Sequence, residues 1–303
     1  MPGIIEISSL TEFHQRMGYP KPAHPLISVV DLSKAELITS SEQKFTTSLY
    51  SITMKTKHKL TPVSYGRKHL DFEEGVLLGM APGQVYGLAE SIRPGDLAGW
   101  ALQFHPDLIQ GYSLQQTLSG FGFFSYEIFE SLHVSDKEKE NLNSIIAKIE
   151  EETALNLDDY SNDLLVSNLE LLLNYIKRYY GRQFKTRKTV NSDLLDSFER
   201  LLKHYVNSDR LRDEGLPTVS QFAESLHLSP SYLSDLLKKE TGKSAQDHLH
   251  NELIRKAKGM LLNSETSVSQ IAFELGFEHA PYFSRLFKNK TGLTPTDFRH
   301  TLN

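Results

Sequence analysis

Three basic residues, Arg285, Lys288 and Lys290, stand among aromatics in the stretch IAFELGFEHAPYFSRLFKNKTGLTP (271–295). A guanidinium can clamp guanine O6 and N7 or a phosphate, and lysines hold phosphates as point charges. A similar combination lies about fifty residues upstream, where Lys238, Lys239 and Lys243 close PSYLSDLLKKETGK. Other chemistries find less support. There is no cysteine, which excludes disulfides, thiolate metal sites and cysteine nucleophiles. His14, His24, His58, His69, His105 and His133 form no H-x-H pair, so the ligand set of a metal-dependent cupin enzyme is missing from the first half. The one such pair, His248-Leu-His250, is expected on a helix, where i and i+2 point to different sides. It reads as ordinary surface. No catalytic residue, metal or cofactor is assigned, and no enzyme activity is expected.

Positioning those residues takes a chain of 303 residues, long for one domain, so two are expected. Runs rich in apolar and β-branched residues, LISVVDL (26–32), SLYSITMKT (48–56), GVLLGMA (75–81) and GWALQFH (99–105), alternate with turn signals such as Pro82–Gly83 and Arg93-Pro94-Gly95-Asp96. They predict an antiparallel barrel or sandwich. After Tyr112 helices take over. Asp136–Glu152 places Leu142, Ile145, Ile146 and Ile149 on one face, and Asn162–Tyr180 repeats Leu165, Leu169, Leu172, Leu173 and Ile176 at helical spacing. Gly181 is a plausible stop, and residues 182–191 read as a basic linker. From Ser192 onward the pattern is all-helical. The expected domains are 1–181, with its helical pair at about 136–180, and 192–303. The N-terminus has no basic, apolar leader, and no run of about 18 apolar residues occurs, so a cytoplasmic protein without membrane contact is expected.

Within the second domain the sequence repeats itself. VSQFAESLHLS-PSYLSDLLKKETG (219–242) aligns with VSQIAFELGFEHAPYFSRLFKNKTG (268–292), with one extra residue placed at a turn. Each copy predicts a helix-turn-helix, at about 218–241 and 267–291. Thr218 with Gln221, and Ser267 with Gln270, form capping boxes. Ala223 and Ala272 allow close helix crossing. Gly276 suits a left-handed turn, where the first copy has His227, a residue that tolerates positive φ better than most. Pro230 and Pro281 sit in the first turn of each second helix. Between the copies, Ser244 caps one long helix ending near Asn263, with Leu249, Leu253, Ile254, Ala257 and Leu261 on its apolar face. Twenty residues give roughly 30 Å, close to the 34 Å or so separating successive major grooves on one side of a duplex.

On these motifs, residues 217–299 resemble the DNA-binding domain of the AraC-type (AraC/XylS) bacterial transcription regulators. The likeness rests on A..L..S..YLS..LKK.TG.S in the first unit and IA..LGF....YFSR.FK...G.TP..FR in the second. It implies that Ser231, Tyr232, Ser234 and Asp235 face the bases from the first recognition helix, and His279, Ala280, Tyr282 and Arg285 from the second. Tyr232 and Tyr282 are equally open to packing roles. Lys238, Lys239, Lys243, Lys288 and Lys290 are candidate phosphate contacts that position rather than specify. The chain carries a net charge of −5, and residues 217–303 hold ten Lys/Arg against nine Asp/Glu. Binding must therefore rest on local clustering, which favours dimerisation or several half-sites.

The first half is similar to the sensing arm of that family, a degenerate cupin-like β-barrel followed by two helices, through YGRKHLDFEEGVLLGMAPGQV (65–85) and GDLAGWALQFHPDLI (95–109). Tyr50, Tyr65, Tyr86, Trp100 and Phe104 are candidate linings for an unidentified small-molecule effector, with Arg67 or His105 as polar anchor. The resemblance implies a homodimer formed through the helical pair, and an activator that contacts RNA polymerase beside double-stranded DNA. The competing reading is a cupin-like binding protein or enzyme whose helical domain mediates protein interaction.

Overall fold

The structure, a computed structural model, describes the chain apart from residues 1–3, 38–42, 59–74, 88–90, 156–157, 187, 264–265 and 301–303. Two compact units divide it, Met1–Lys185 and Thr186–Asn303. The first contains β1 (Ile5–Ile7), α1 (Leu10–Arg16), β2 (Ile27–Asp31), β3 (Lys44–Thr47), β4 (Tyr50–His58), β5 (Val76–Met80), β6 (Tyr86–Gly87), β7 (Leu97–Phe104), α2 (Ser113–Thr117), β8 (Leu132–His133), α3 (Asp136–Ala154) and α4 (Ser161–Thr186). Each of the four apolar runs forms a strand, because β-branched and aromatic residues suit a pleated, half-buried surface.

The described strands build a five-stranded sheet in the order β2-β7-β4-β5-β8 and a three-stranded sheet in the order β1-β3-β6. The described strands do not close into a barrel, and with α3 and α4 they form a mixed sheet-and-helix unit. β8 supplies only two residues before Ser135 caps α3, so this edge leads into a helix instead of another strand. One face of the large sheet packs on the helical side. Tyr50 stacks on Phe104 with centroids 5.0 Å apart and meets Phe124 edge-on, while Phe123 stacks on Tyr180 of α4. Trp100 Nε1 donates to Asn143 Oδ1 of α3 at 2.9 Å. The other face meets α1, whose His14 Nε2 lies 2.8 Å from Ser28 Oγ.

Both helices of the pair bury the residues their spacing singled out, Leu142, Ile145, Ile146 and Ile149 on α3 and Leu165, Leu169, Leu172, Leu173 and Ile176 on α4. The expected stop at Gly181 is not a stop. α4 continues to Thr186, and the next helix begins at Lys188, so the residues expected as a linker are helical apart from Arg187, which lies outside the described residues. A glycine in a helix costs about 1 kcal/mol, and tertiary contacts offset it here. Arg182 pairs with Glu138 at 2.8 Å and donates to the His133 carbonyl, Gln183 bonds Ser131 and His133 of the backbone, and Phe184 is buried. The basic stretch is bolted to α3 and β8.

The second unit is all-helical: α5 (Lys188–Asn207), α6 (Arg210–Glu214), α7 (Val219–Ser225), α8 (Pro230–Thr241), α9 (Ala245–Asn263), α10 (Val268–Glu274), α11 (Ala280–Thr291) and α12 (Pro295–His300). α9 is its axle, packed against α5, α8, α10, α11 and α12. Leu249, Leu253, Ile254, Ala257 and Leu261 of α9 join one core with Phe198, Leu233, Ile271, Phe283 and Phe287. Among the described residues no helix is long and apolar enough to cross a membrane.

Candidate nucleic-acid interface

The two repeats fold alike, beginning with their caps. Thr218 and Gln221 bond reciprocally at the start of α7, as Ser267 and Gln270 do at the start of α10. Ala223 and Ala272 are fully buried where the helices cross. The turns are held by equivalent bonds, Leu228 N–H to the Ala223 carbonyl at 2.9 Å and Phe277 N–H to the Ala272 carbonyl at 3.0 Å. His227 adopts φ 55°, alone among described non-glycine residues in having positive φ, and Gly276 adopts φ 75°. Ser229 caps α8 by accepting from the Tyr232 N–H. Gly242 and Gly292 end the second helices in the left-handed conformation, with N–H bonds back to Lys238 and Lys288.

The likeness extends beyond the aligned stretch. Thr241 and Thr291 each donate to the carbonyl four residues back and accept the N–H two residues on. Ser244 with Asp247, and Thr294 with Asp297, then cap α9 and α12 at an offset of fifty. The repeat therefore comprises a helix-turn-helix plus the start of the next helix. α9 has 19 residues, about 28 Å at 1.5 Å per residue.

α8 buries Tyr232, Leu233, Leu236 and Leu237, which leaves Ser231, Ser234 and Asp235 partly exposed and Lys238 and Lys239 exposed. α11 buries Phe283, Leu286 and Phe287, leaving His279, Tyr282, Arg285, Lys288 and Lys290 outside. One expected base contact needs correction. Tyr232 is only 4% exposed, so it is a core residue, whereas Tyr282, its equivalent, is 40% exposed. Ala280 packs against the core, and its lone methyl is partly covered. Ser234 Oγ donates to the Pro230 carbonyl at 2.7 Å. The Arg285 guanidinium lies over the Tyr282 ring at 5.7 Å, which pre-orients it on the exposed face.

The phosphate candidates divide. Lys238, Lys239, Lys243 and Lys288 are exposed. Lys290 donates to Asp247 Oδ1 at 2.9 Å, a link from the end of α11 to the first turn of α9. Bonds from Lys290 and Ser244 hold the Asp247 carboxyl well below the usual carboxylate range. The spacing Ser244-x-x-Asp247 signalled a cap, but nothing in it signalled the lysine 43 residues away. His248 also departs from its surface expectation. Its Nε2 lies 2.8 Å from Thr241 Oγ1, its ring meets Phe198 edge-on, and burial pushes its pKa down.

The effector candidates of the first unit are mostly committed to packing. Phe104 is fully buried between Tyr50 and Ile27 of neighbouring strands. Tyr86 stacks on Phe45 in the other sheet, and His105 caps the turn at Asp107. Tyr65 and Arg67 lie outside the described residues.

Comparison with known proteins bears on the second unit. Residues 222–301 match a family model described as a helix-turn-helix domain. The chain is 30% identical over 137 residues to the Bacillus subtilis HTH-type transcriptional regulator YobQ, covering 45% of this chain and 49% of that one. It is 30% identical over 143 residues to the arabinose operon regulatory protein of Escherichia coli, covering 46% and 45%. A solved C-terminal domain of the response regulator yesN from Fusobacterium nucleatum is 30% identical, with 36% of this chain and 99% of that one covered at a TM-score of 0.32. The chain spans about half or less of the length of these curated relatives. By its tandem helix-turn-helix units and these relatives, the second unit is a helix-turn-helix domain of the AraC-type transcription regulators.

Proposed function

We propose that the protein is a cytoplasmic, sequence-specific regulator that activates transcription by placing α8 and α11 in successive major grooves of double-stranded DNA. The observation that carries this reading is the pair of equivalent helix-turn-helix units joined by α9, whose 19 residues span about 28 Å, near the length of one duplex turn. Arg285, His279 and Tyr282 would meet bases from α11, and Ser231, Ser234 and Asp235 from α8. Lys238, Lys239, Lys243 and Lys288 would hold phosphates. The first unit, which we read as a sensing and dimerisation arm related to a degenerate cupin, would tune this binding through a small-molecule effector. RNA polymerase is the partner expected of an activator.

A salt-titrated mobility-shift assay on fragments selected from the host genome tests the core of this reading. A specific complex that weakens linearly on a log–log salt plot is expected. Failure to select any sequence, with Arg285→Ala indistinguishable from wild type, would refute it.

A further inference from the structure

Glu240 is out of place on two counts. It stands in the last turn of α8, where the helix dipole disfavours a negative charge, and it follows Lys238 and Lys239, which the proposed reading assigns to phosphates. A carboxylate there weakens the pull of both lysines on DNA. It accepts a hydrogen bond at 3.1 Å from Nδ2 of Asn191, a residue 1% exposed in the first turn of α5. Because the acceptor is charged, this is the stronger kind of side-chain bond.

The second helix-turn-helix repeats the arrangement in different chemistry. Lys290 stands fifty residues after Glu240, at the equivalent place on α11, and reaches Asp247 in the first turn of α9 at 2.9 Å. In both copies the residue before the closing Thr-Gly is tied to the first turn of a long helix of the core. An amide and a carboxylate make one tie, an ammonium and a carboxylate the other, at the same place in the repeat. Packing alone does not require it. α8 buries Tyr232, Leu233, Leu236 and Leu237 on one face. Apolar burial is non-directional, so it fixes the depth of a helix better than its rotation. Ser229 holds the start of α8 through the Tyr232 N–H at 3.1 Å, and a directional bond at the far end completes the constraint. Side chains that recognise a partner must be held within about 0.5 Å and 10–20° of the productive geometry.

We propose that Asn191 is a positioning residue for DNA reading: through Glu240 it sets the rotation of α8, and with it the specificity of the half-site that α8 reads. The inference rests on reading the protein as a DNA-binding regulator that uses α8 and α11. Asn191, being buried, touches no base itself. The two ties differ in charge and go to different helices, so α8 and α11 are positioned independently. Loss of one tie leaves the other half-site read as before.

Selection of bound sequences from a randomised duplex by the full chain, read position by position, tests this. The position that Arg285→Ala relaxes marks the α11 half-site, and the half-site about one helical turn away belongs to α8. Glu240→Ala should lower discrimination in the α8 half-site by roughly three- to tenfold, within the cost of one mismatched pair, and leave the α11 half-site unchanged. Non-specific affinity should hold or rise, since a negative charge is gone. Glu240→Gln removes the same charge but keeps an acceptor for Asn191, and should keep wild-type discrimination. Asn191→Ala should repeat the Glu240→Ala pattern, and the double variant should lose no more than either single one, because both remove one bond. A residue that only stabilises the fold would instead lower the melting temperature and weaken both half-sites alike. Four results would overturn the proposal: unchanged discrimination in Glu240→Ala, equal loss in both half-sites, a loss in Glu240→Gln as large as in Glu240→Ala, or additive losses in the double variant. A wild-type chain that selects no sequence, or an Arg285→Ala selection identical to wild type, defeats the DNA reading and this inference with it. A selected operator whose α8 half-site is read equally well by Glu240→Ala defeats this inference alone.

Discussion

Gly276 and His227 occupy the same place in the two turns, yet only one of them is free to change. Gly276 has φ 75°, and a Cβ there would lie 2.5 Å from the Leu211 carbonyl oxygen and 3.1 Å from the Gly215 backbone. Both obstacles are backbone, so nothing flexible can give way. Gly276→Ala should cost about 2–3 kcal/mol through strain and displacement, read as a lower melting transition for the helical unit. His227 already bears the left-handed conformation with a full side chain, at φ 55°. His227→Gly should therefore be neutral or stabilise by roughly 0.5 kcal/mol, the relief of strain being offset by the entropy of glycine. Equal losses at the two positions would contradict this account. The positive φ at both turns was legible from the repeat. The different fates of Tyr232 and Tyr282 were not, because burial is set by neighbours from other helices, and an offset of fifty assigns both the same role.

At the scale of elements, α8 and α11 share a frame and differ in what they offer. At equivalent positions α8 carries Asp235 and α11 carries Arg285, an acceptor and a donor. Under the proposed base contacts the two units ask for different bases, and the half-sites should differ in sequence. Arg285→Ala should weaken the specific complex on the order of tenfold or more and relax preference at one position. Lys238→Ala should weaken binding to all sequences and lower the salt slope by about one. Lys290 behaves differently, since Asp247 already holds it. Asp247→Asn should free it and steepen the salt slope. An unchanged slope would mean that Lys290 reaches phosphate despite the pair. Because the folded Asp247 carboxyl titrates below its ordinary value, the stability its link to α11 contributes is full above the ordinary carboxylate range and is lost as pH falls from there towards the depressed folded value. The Asn variant should lose that acid-side dependence. The helices themselves were visible in the spacing of leucines and isoleucines. The run of α4 past Gly181 was not, because it depends on Arg182 and Gln183 finding partners about fifty residues earlier and on the burial of Phe184.

On the scale of the molecule, charge decides how strongly one chain can bind. With ten basic against nine acidic residues in 217–303, the reading unit has almost no long-range pull on DNA. Two linked copies would gain through effective concentration what one lacks in charge. The first unit exposes a surface suited to linking them. Tyr160, just before α4, and Leu164 and Leu171 on it are 72%, 49% and 42% exposed. Helical spacing aligns the two leucines on one stripe, away from the buried Leu165, Leu169 and Leu172. Leu164→Glu with Leu171→Glu should leave the helical content intact by circular dichroism and convert a dimer to a monomer in sedimentation equilibrium. Affinity for a site with two operator copies should then fall to that for a single copy, while the salt slope per chain stays the same. A double variant that remains dimeric would move the interface elsewhere on the molecule. A wild type that is already monomeric at micromolar concentration would mean that one chain reads its operator alone, with Arg285 and the exposed lysines carrying the whole of the affinity.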